Sequence, residues 1–251
     1  MSGSTADPHD GSTSAGAALG IDELLTTTRS VRRRLDFDTQ VDLTDIEDCL
    51  RIALQAPSGS NEQSWHWIVV TDAEVRQQLG ALYRDAFAER RARAAAEAAK
   101  PADTAESATN QAHETDAQAA GARPGEQVRA RVMSSAAYLA DNLGRAPVMV
   151  VPCVRPYWAP RPADELLSRA TLYASIYPAA WNFQLALRTR GYGTCLTTLH
   201  LMRHAEAAAL LGIPDEYTQA CLLPVARLLG DNRFTPAARK PLAAVVSYNH
   251  F

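Results

Sequence analysis

Apolar residues recur along this chain at helical spacing in some stretches and in short unbroken runs in others. Ile46, Leu50, Ala53 and Leu54 predict a helix over 43–56, with Thr44 placed to cap it and Glu47 at the capping-box spacing. A polar turn follows, and Trp65 to Val70, rich in aromatic and β-branched side chains, reads as a buried strand. Val75, Leu79, Leu82 and Tyr83 predict a helix from 73 to about 87, started by Thr71-Asp72, and a further helix is expected over 132–143 before a strand over 147–151. The longest helical pattern, 172–189, is apolar almost all round and so should be buried on most sides. Gly191 stops it. A strand over 191–200, with Thr197 and Thr198 near its end, a short helix over 205–211 and a strand over 222–229 complete the pattern. Strands separated by helices, without any repeat, predict an α/β or α+β sheet of four to five strands with helices on both faces.

Two stretches break these rhythms. Residues 1–19 are rich in Ser, Gly, Ala and Asp and are expected to form a flexible tail that resembles neither a secretory signal nor a transit peptide. Residues 89–131 hold scarcely a large apolar side chain and cannot bury much core, so they are expected to be an insertion, either a mobile lid or partly disordered. The remainder, 20–251, reads as one domain.

Composition narrows the classes. Of 251 residues, 47% are hydrophobic and 21% charged, which suits a single large globular domain. A formal net charge of −3 provides no global field for nucleic acid or a membrane surface. The longest apolar run, 146–154, has strand length and is far short of a membrane span. Cys49, Cys153, Cys195 and Cys221 show no C-x-x-C spacing, and the expectation is buried reduced thiols in a cytoplasmic protein.

Chemistry concentrates in few places. Arg29-Ser30-Val31-Arg32-Arg33-Arg34 presents guanidinium forks and a hydroxyl suited to a phosphate-sized dianion, although such a run can also be a solvated face. Ala56-Pro-Ser58-Gly-Ser60-Asn61-Glu-Gln63 packs more hydrogen-bonding side chains into a turn than a connection requires. Arg239-Lys240 adds a second basic pair, and Thr197-Thr198 could bond a flat heterocycle. Other motifs fail. His200 and His204 share the i,i+4 spacing of zinc ligands, but no glutamate of an H-E-x-x-H and no third ligand accompanies them, so no metal is expected. Gly191-Tyr-Gly193 lacks the third glycine of a dinucleotide fingerprint. Ser58 has no G-x-S-x-G context, and Cys195, beside Leu196, reads as a packed thiol.

In this order the motifs resemble the FMN-dependent nitroreductase family, including its dehydrogenase and dehalogenating branches. The likeness rests on Arg29-Ser30-Val31-Arg32, on Ala56-Pro57-Ser58-Gly59-Ser60-Asn61-Glu62-Gln63-Ser64-Trp65, where the family usually has proline at the Ser64 position, and on the closing basic pair before Pro241-Leu242. It covers roughly 21–246 apart from the insertion, and the wording is similar to that of actinobacterial members. The resemblance implies an α+β fold with a central mixed sheet and a homodimer binding FMN at the subunit interface. NADPH or NADH would serve as co-substrate, and hydride would pass through FMN to nitroaromatic or quinone-like acceptors by ping-pong turnover. It places the FMN phosphate and ribityl chain on Arg29, Ser30, Arg32 and Arg239, with Lys240 nearly equal to the last. Ser58, Asn61 and Gln63 would meet the ring or ribityl chain, Thr197 and Thr198 would lie at the flavin with Thr198 nearest N5, and Arg32 or Arg33 would face N1 and O2. No side chain need act as acid or base. The alternatives are a flavin-dependent dehalogenase or dehydrogenase acting on another small molecule, and a flavin carrier without turnover. Trp65, Trp67, Tyr157, Trp158 and Trp181 are further pocket candidates, each also explicable as core.

Overall fold

The computed structural model describes residues 19–99, 124–156 and 162–251. The proposed tail, the middle of the insertion, and Tyr157 and Trp158 lie outside the described residues. Along the chain run α1 (Ile21–Thr27), β1 (Leu35–Asp36), α2 (Leu43–Ala53), β2 (Trp65–Val70), α3 (Ala73–Ala98), α4 (Pro124–Asn142) and β3 (Val148–Val154). There follow α5 (Glu165–Thr189), β4 (Tyr192–Thr194), α6 (His204–Leu211), β5 (Thr218–Gln219) and β6 (Leu223–Leu228).

The sheet forms around β3, whose seven residues are all buried. It pairs with β2 along its length, with β6 through Val148 to Val150, and with β5 through Cys153 and Val154. The sheet order is β1-β6-β3-β2, with β4 also on β6. Pro152 is tolerated in so central a strand because it falls between the β6 and β5 pairings, where its carbonyl takes the N–H of Ala220 at 2.9 Å and no ladder partner needs the N–H it lacks.

Alternation along β3 sets the two faces. Met149, Val151 and Cys153 join Leu79, Tyr83, Leu139, Leu143 and Ala207 in a core under α3, α4 and α6. Val148 and Val150 join Ile46, Cys49, Ala180, Phe183 and Leu187 under α2 and α5. Helices therefore cover both faces, as the pattern predicted.

The α+β class holds, and the sheet departs from expectation in detail. Among the described residues it has six strands rather than four or five, and each pairing there is antiparallel rather than mixed. Strand β2 lies at the edge of the sheet, and its His66 and Val69 are exposed, so it is half-buried rather than buried. Asp42 caps α2 by accepting from Thr44 N at 2.9 Å, which makes Thr44 a helical residue and leaves Glu47 to pair with Arg51. The expected strand over 191–200 ends at Thr194, and Leu199–Arg203 winds as a 3-10 turn. Helix α5 begins at Glu165, earlier than predicted; it is exposed at Leu166 and Leu167 and partly so at Trp181, and is buried most continuously from Ala179 to Arg188. At its end Gly191 adopts φ +77, the left-handed conformation expected of a residue that stops a helix.

The insertion is partly regular. Helix α3 runs on to Ala98 and α4 returns from Pro124, and the two pack at the root where Gly80 approaches Gly144. Among the described residues no helix is long and apolar enough to cross a membrane.

Candidate functional site

The arginine segment is fixed by the end of α1 and by β4. Val31 donates its N–H to the Thr194 carbonyl at 2.9 Å, and its side chain is buried. That contact brings Arg32 within electrostatic reach of the Cys195 thiol and of Tyr83. Burial nevertheless pushes the Cys195 thiol up to about 11, so it is neutral and packed, as expected. The Tyr83 hydroxyl lies 2.9 Å from Thr197 Oγ1. Tyr83 and Thr197 thus join α3 to the chain following β4, with Cys195 and Arg32 within electrostatic reach.

Thr197 exchanges both backbone hydrogen bonds with Leu222, at 3.0 and 2.8 Å. Thr198 is exposed; its carbonyl accepts from Leu201, while its N–H has no partner among the described residues. An N–H left free beside a structured cluster is a ready donor to a ligand.

Arg29 reaches the other way, donating to the carbonyls of Thr28 and Thr235. Neither Arg29 nor Arg32 pairs with a carboxylate among the described residues, so both charges remain for an anion. Ser30 is exposed alongside. Arg33 and Arg34 are committed elsewhere. Arg33 donates to Ser134 Oγ at 2.8 Å and lies over Tyr138, while Arg34 binds the Leu229 carbonyl and Asp231. Of the two donors expected at N1 and O2, Arg32 is therefore the one still available. Arg239 and Lys240 sit on an exposed segment that continues from the Thr235 contact.

The polar turn is built under strain. Ser60, Asn61 and Gln63 all have positive φ, at 51, 55 and 48°. Ser58 Oγ accepts from Gln63 N at 3.2 Å, Gln63 donates to Asn61 Oδ1 at 3.3 Å, and Gly59 N is held by Ser175 Oγ of α5 at 3.0 Å. Ser58, Asn61 and Gln63 therefore form one preset surface. It does not meet the arginines within this chain. The turn is anchored at Ser175 and the arginine segment at Arg188, which lie about 20 Å apart along α5 at roughly 1.5 Å per residue.

Three side chains escaped the sequence reading. Arg188 is only 3% exposed and donates to Thr27 Oγ1, Thr28 Oγ1 and the Leu24 carbonyl, holding the end of α1 ahead of Arg29. A lone arginine near the end of a helix apolar all round was the available signal. Glu89 binds Arg203 at 2.5 Å, tying α3 to the 3-10 turn beyond Thr198, and this pairing holds the Glu89 carboxyl below its usual range. Tyr83 passed for a plain apolar position because periodicity does not register its hydroxyl.

The histidines separate. His200 is fully buried with both ring nitrogens unpartnered, and His204 is exposed at the start of α6. Among the described residues no three His, Cys, Asp or Glu side chains are grouped to hold a metal. Two open clefts, of about 530 Å3 beside Arg76, Arg84 and Arg145 and about 670 Å3 beside His204 and Tyr217, contain none of the expected site residues. Trp67 packs against Phe183 with its Nε1 buried and unpartnered, which marks it as core.

A protein of Archaeoglobus fulgidus named as an NADH dehydrogenase/NAD(P)H nitroreductase is 42% identical over 57 residues, which is 23% of this chain and 32% of that protein. The matched part thus spans about a third of that relative's length. Among solved structures, a BluB-like flavoprotein from Clostridium difficile 630 superposes with a TM-score of 0.63 at 19% identity, covering 92% of this chain and all of the other. Iodotyrosine deiodinase bound to FMN and 3-iodo-L-tyrosine gives 0.62 at 20% identity, covering 92% and 99%. The FMN- and NADPH-dependent nitroreductase NfnB of a Sphigopyxis species gives 0.58 at 24% identity, covering 93% and 100%. These three share the fold. Residues 25–227 match the Nitroreductase family, and the chain belongs to it.

Proposed function

We propose that this protein is an FMN-dependent oxidoreductase that takes electrons from NADPH or NADH and passes them to a nitroaromatic or quinone-like acceptor. The observation that carries the reading is that neither Arg29 nor Arg32 has a carboxylate partner among the described residues, while exposed Thr198 offers a backbone N–H that is likewise without a partner there. Arg29 and Arg32, together with the Thr198 N–H, suit the phosphate and the polar ring edge of FMN.

In this reading Arg29, Ser30 and Arg239, with Lys240, hold the phosphate and ribityl chain. Arg32 faces N1 and O2, and the Thr198 N–H faces N5. When bound, FMN supplies the hydride chemistry. The protein's residues orient it, and the positive charge of Arg32 favours electron density on the adjacent ring edge. No side-chain acid or base is required. Donor and acceptor would occupy one exposed face in turn, which is ping-pong turnover.

The separation along α5 supports a homodimer, in which Ser58, Asn61 and Gln63 serve the site of a second copy. The segment beyond Thr235 points the same way, since Leu242, Val245 and Tyr248 are 72%, 60% and 84% exposed and want a surface to cover them.

The test is an absorbance spectrum of purified protein followed by anaerobic NADPH or NADH. A flavin spectrum that bleaches with the nicotinamide and returns with a nitroaromatic or quinone supports the reading. A colourless protein that takes up no FMN overturns it. A flavin that bleaches but is reoxidised only by halogenated substrates assigns the chain to the dehalogenating alternative, and one that never bleaches leaves a flavin carrier.

A further inference from the structure

Tyr83 belongs to the core by burial, at 4% exposure, yet its hydroxyl is spent on Thr197 Oγ1 at 2.9 Å rather than on a backbone carbonyl. The same hydroxyl lies in the field of Arg32. Burial raises the Tyr83 pKa above its ordinary value, so the phenol keeps its proton. A phenol is a stronger donor than an aliphatic hydroxyl, so Tyr83 donates and Thr197 accepts. Thr197's backbone is already locked to Leu222 in both directions. With its lone pair engaged by Tyr83, the hydroxyl proton of Thr197 is left to point away from α3.

We propose that Tyr83 is a positioning residue, fixing the Thr197 hydroxyl as a donor toward the flavin ring and coupling helix α3 to the cofactor. The inference rests on the function proposed above and deepens it. The coupling is local to α3 and its neighbours: six residues beyond Tyr83, Glu89 pins the same helix to Arg203. One helix therefore grips the Thr197–Arg203 segment at two points, and the inner grip ends on the residue that would touch the ring. Hydrogen bonds in such a chain polarise one another, so losing the first weakens the second. The reduced ring is the more electron-rich and gains more from a donor than the oxidised ring does.

The test is a double-mutant cycle of Tyr83→Phe and Thr197→Val in the full-length FMN-loaded protein, read by the two-electron reduction potential of the bound flavin. Each single variant should move the potential negative by about 30 mV, a tenfold weaker preference for the reduced form. The double variant should move it no further, and Thr197→Ser, which keeps the hydroxyl, should stay at the wild-type value. A wild-type protein that binds FMN together with a Tyr83→Phe variant of unchanged potential overturns the inference alone, as do additive shifts in the double variant. A wild-type protein that takes up no FMN overturns the function and this inference together. Thermal midpoints of all five proteins separate a packing effect, which would lower the midpoint and leave the potential unmoved; that result too counts against the inference.

Discussion

Arg188 donates to Thr28 Oγ1 at 2.7 Å across 160 residues of sequence, so the last turn of α5 holds the residue that precedes Arg29. Replacing Arg188 with methionine keeps most of the bulk but removes its charge-assisted bonds to Thr27, Thr28 and the Leu24 carbonyl, leaving the two hydroxyls only their bonds to the Glu23 and Leu24 carbonyls. Each lost bond to a charged donor is worth roughly 1.5–3 kcal/mol, and part of this is recovered through water at Thr28, which is only half-buried. A net loss of about 2–4 kcal/mol is expected from the urea midpoint.

Arg29 carries a charge that no carboxylate among the described residues pairs with. Arg29→Ala should therefore lower FMN affinity at least tenfold, about 1.4 kcal/mol, with little change in the urea midpoint. Equilibrium dialysis measures this, and full FMN retention by the variant would remove Arg29 from the phosphate site.

The positions of β2 and α6 follow closely from the hydrophobic pattern, and the class of fold follows from the order of elements. Strands β1 and β5 do not, because two residues show no period; only their register against β6 and β3 defines them. The extension of α3 beyond 87 had no apolar face to announce it, and rests on propensity and on Glu89–Arg203. The candidate site was legible as separate motifs, Arg29 to Arg32, the turn at 58–63 and Thr197-Thr198. Its internal wiring was not, since it depends on hydroxyl and guanidinium contacts between residues more than a hundred positions apart, such as Tyr83 with Thr197.

Gly80 lies against Gly144 so closely that a Cβ at position 80 would stand 2.6 Å from Gly144 Cα. Backbone cannot give way as a flexible side chain can. Gly80→Ala should therefore cost about 1–3 kcal/mol by pushing the 3-10 turn Leu143–Arg145 off α3, seen as a lowered thermal midpoint.

His200 supplies a pH test. Burial depresses its pKa to about 4, below the ordinary 6.5 of the unfolded chain. Above 6.5 both states are neutral and stability does not depend on this group. As pH falls from 6.5 toward 4, the unfolded chain takes up a proton that the folded one refuses, and stability is lost. The loss approaches about 2 kcal/mol by pH ~5 and about 3 kcal/mol near pH ~4. Urea titrations of wild type and His200→Leu should show this slope in the former only.

Ser60 at φ +51 can be relaxed by glycine. Ser60→Gly is expected to be neutral or stabilising by up to about 1 kcal/mol, and Ser60→Val to destabilise by more than ~1 kcal/mol, both read from denaturant midpoints.

The three left-handed residues of that turn also bear on the kinetics of recognition. Since Ser58, Asn61 and Gln63 are already tied to one another, and the turn to α5 through Gly59, a ligand that meets them freezes few rotors on arrival. Encounter should then be quick for any ligand that fits, and discrimination among related ligands should appear chiefly in how long each one stays.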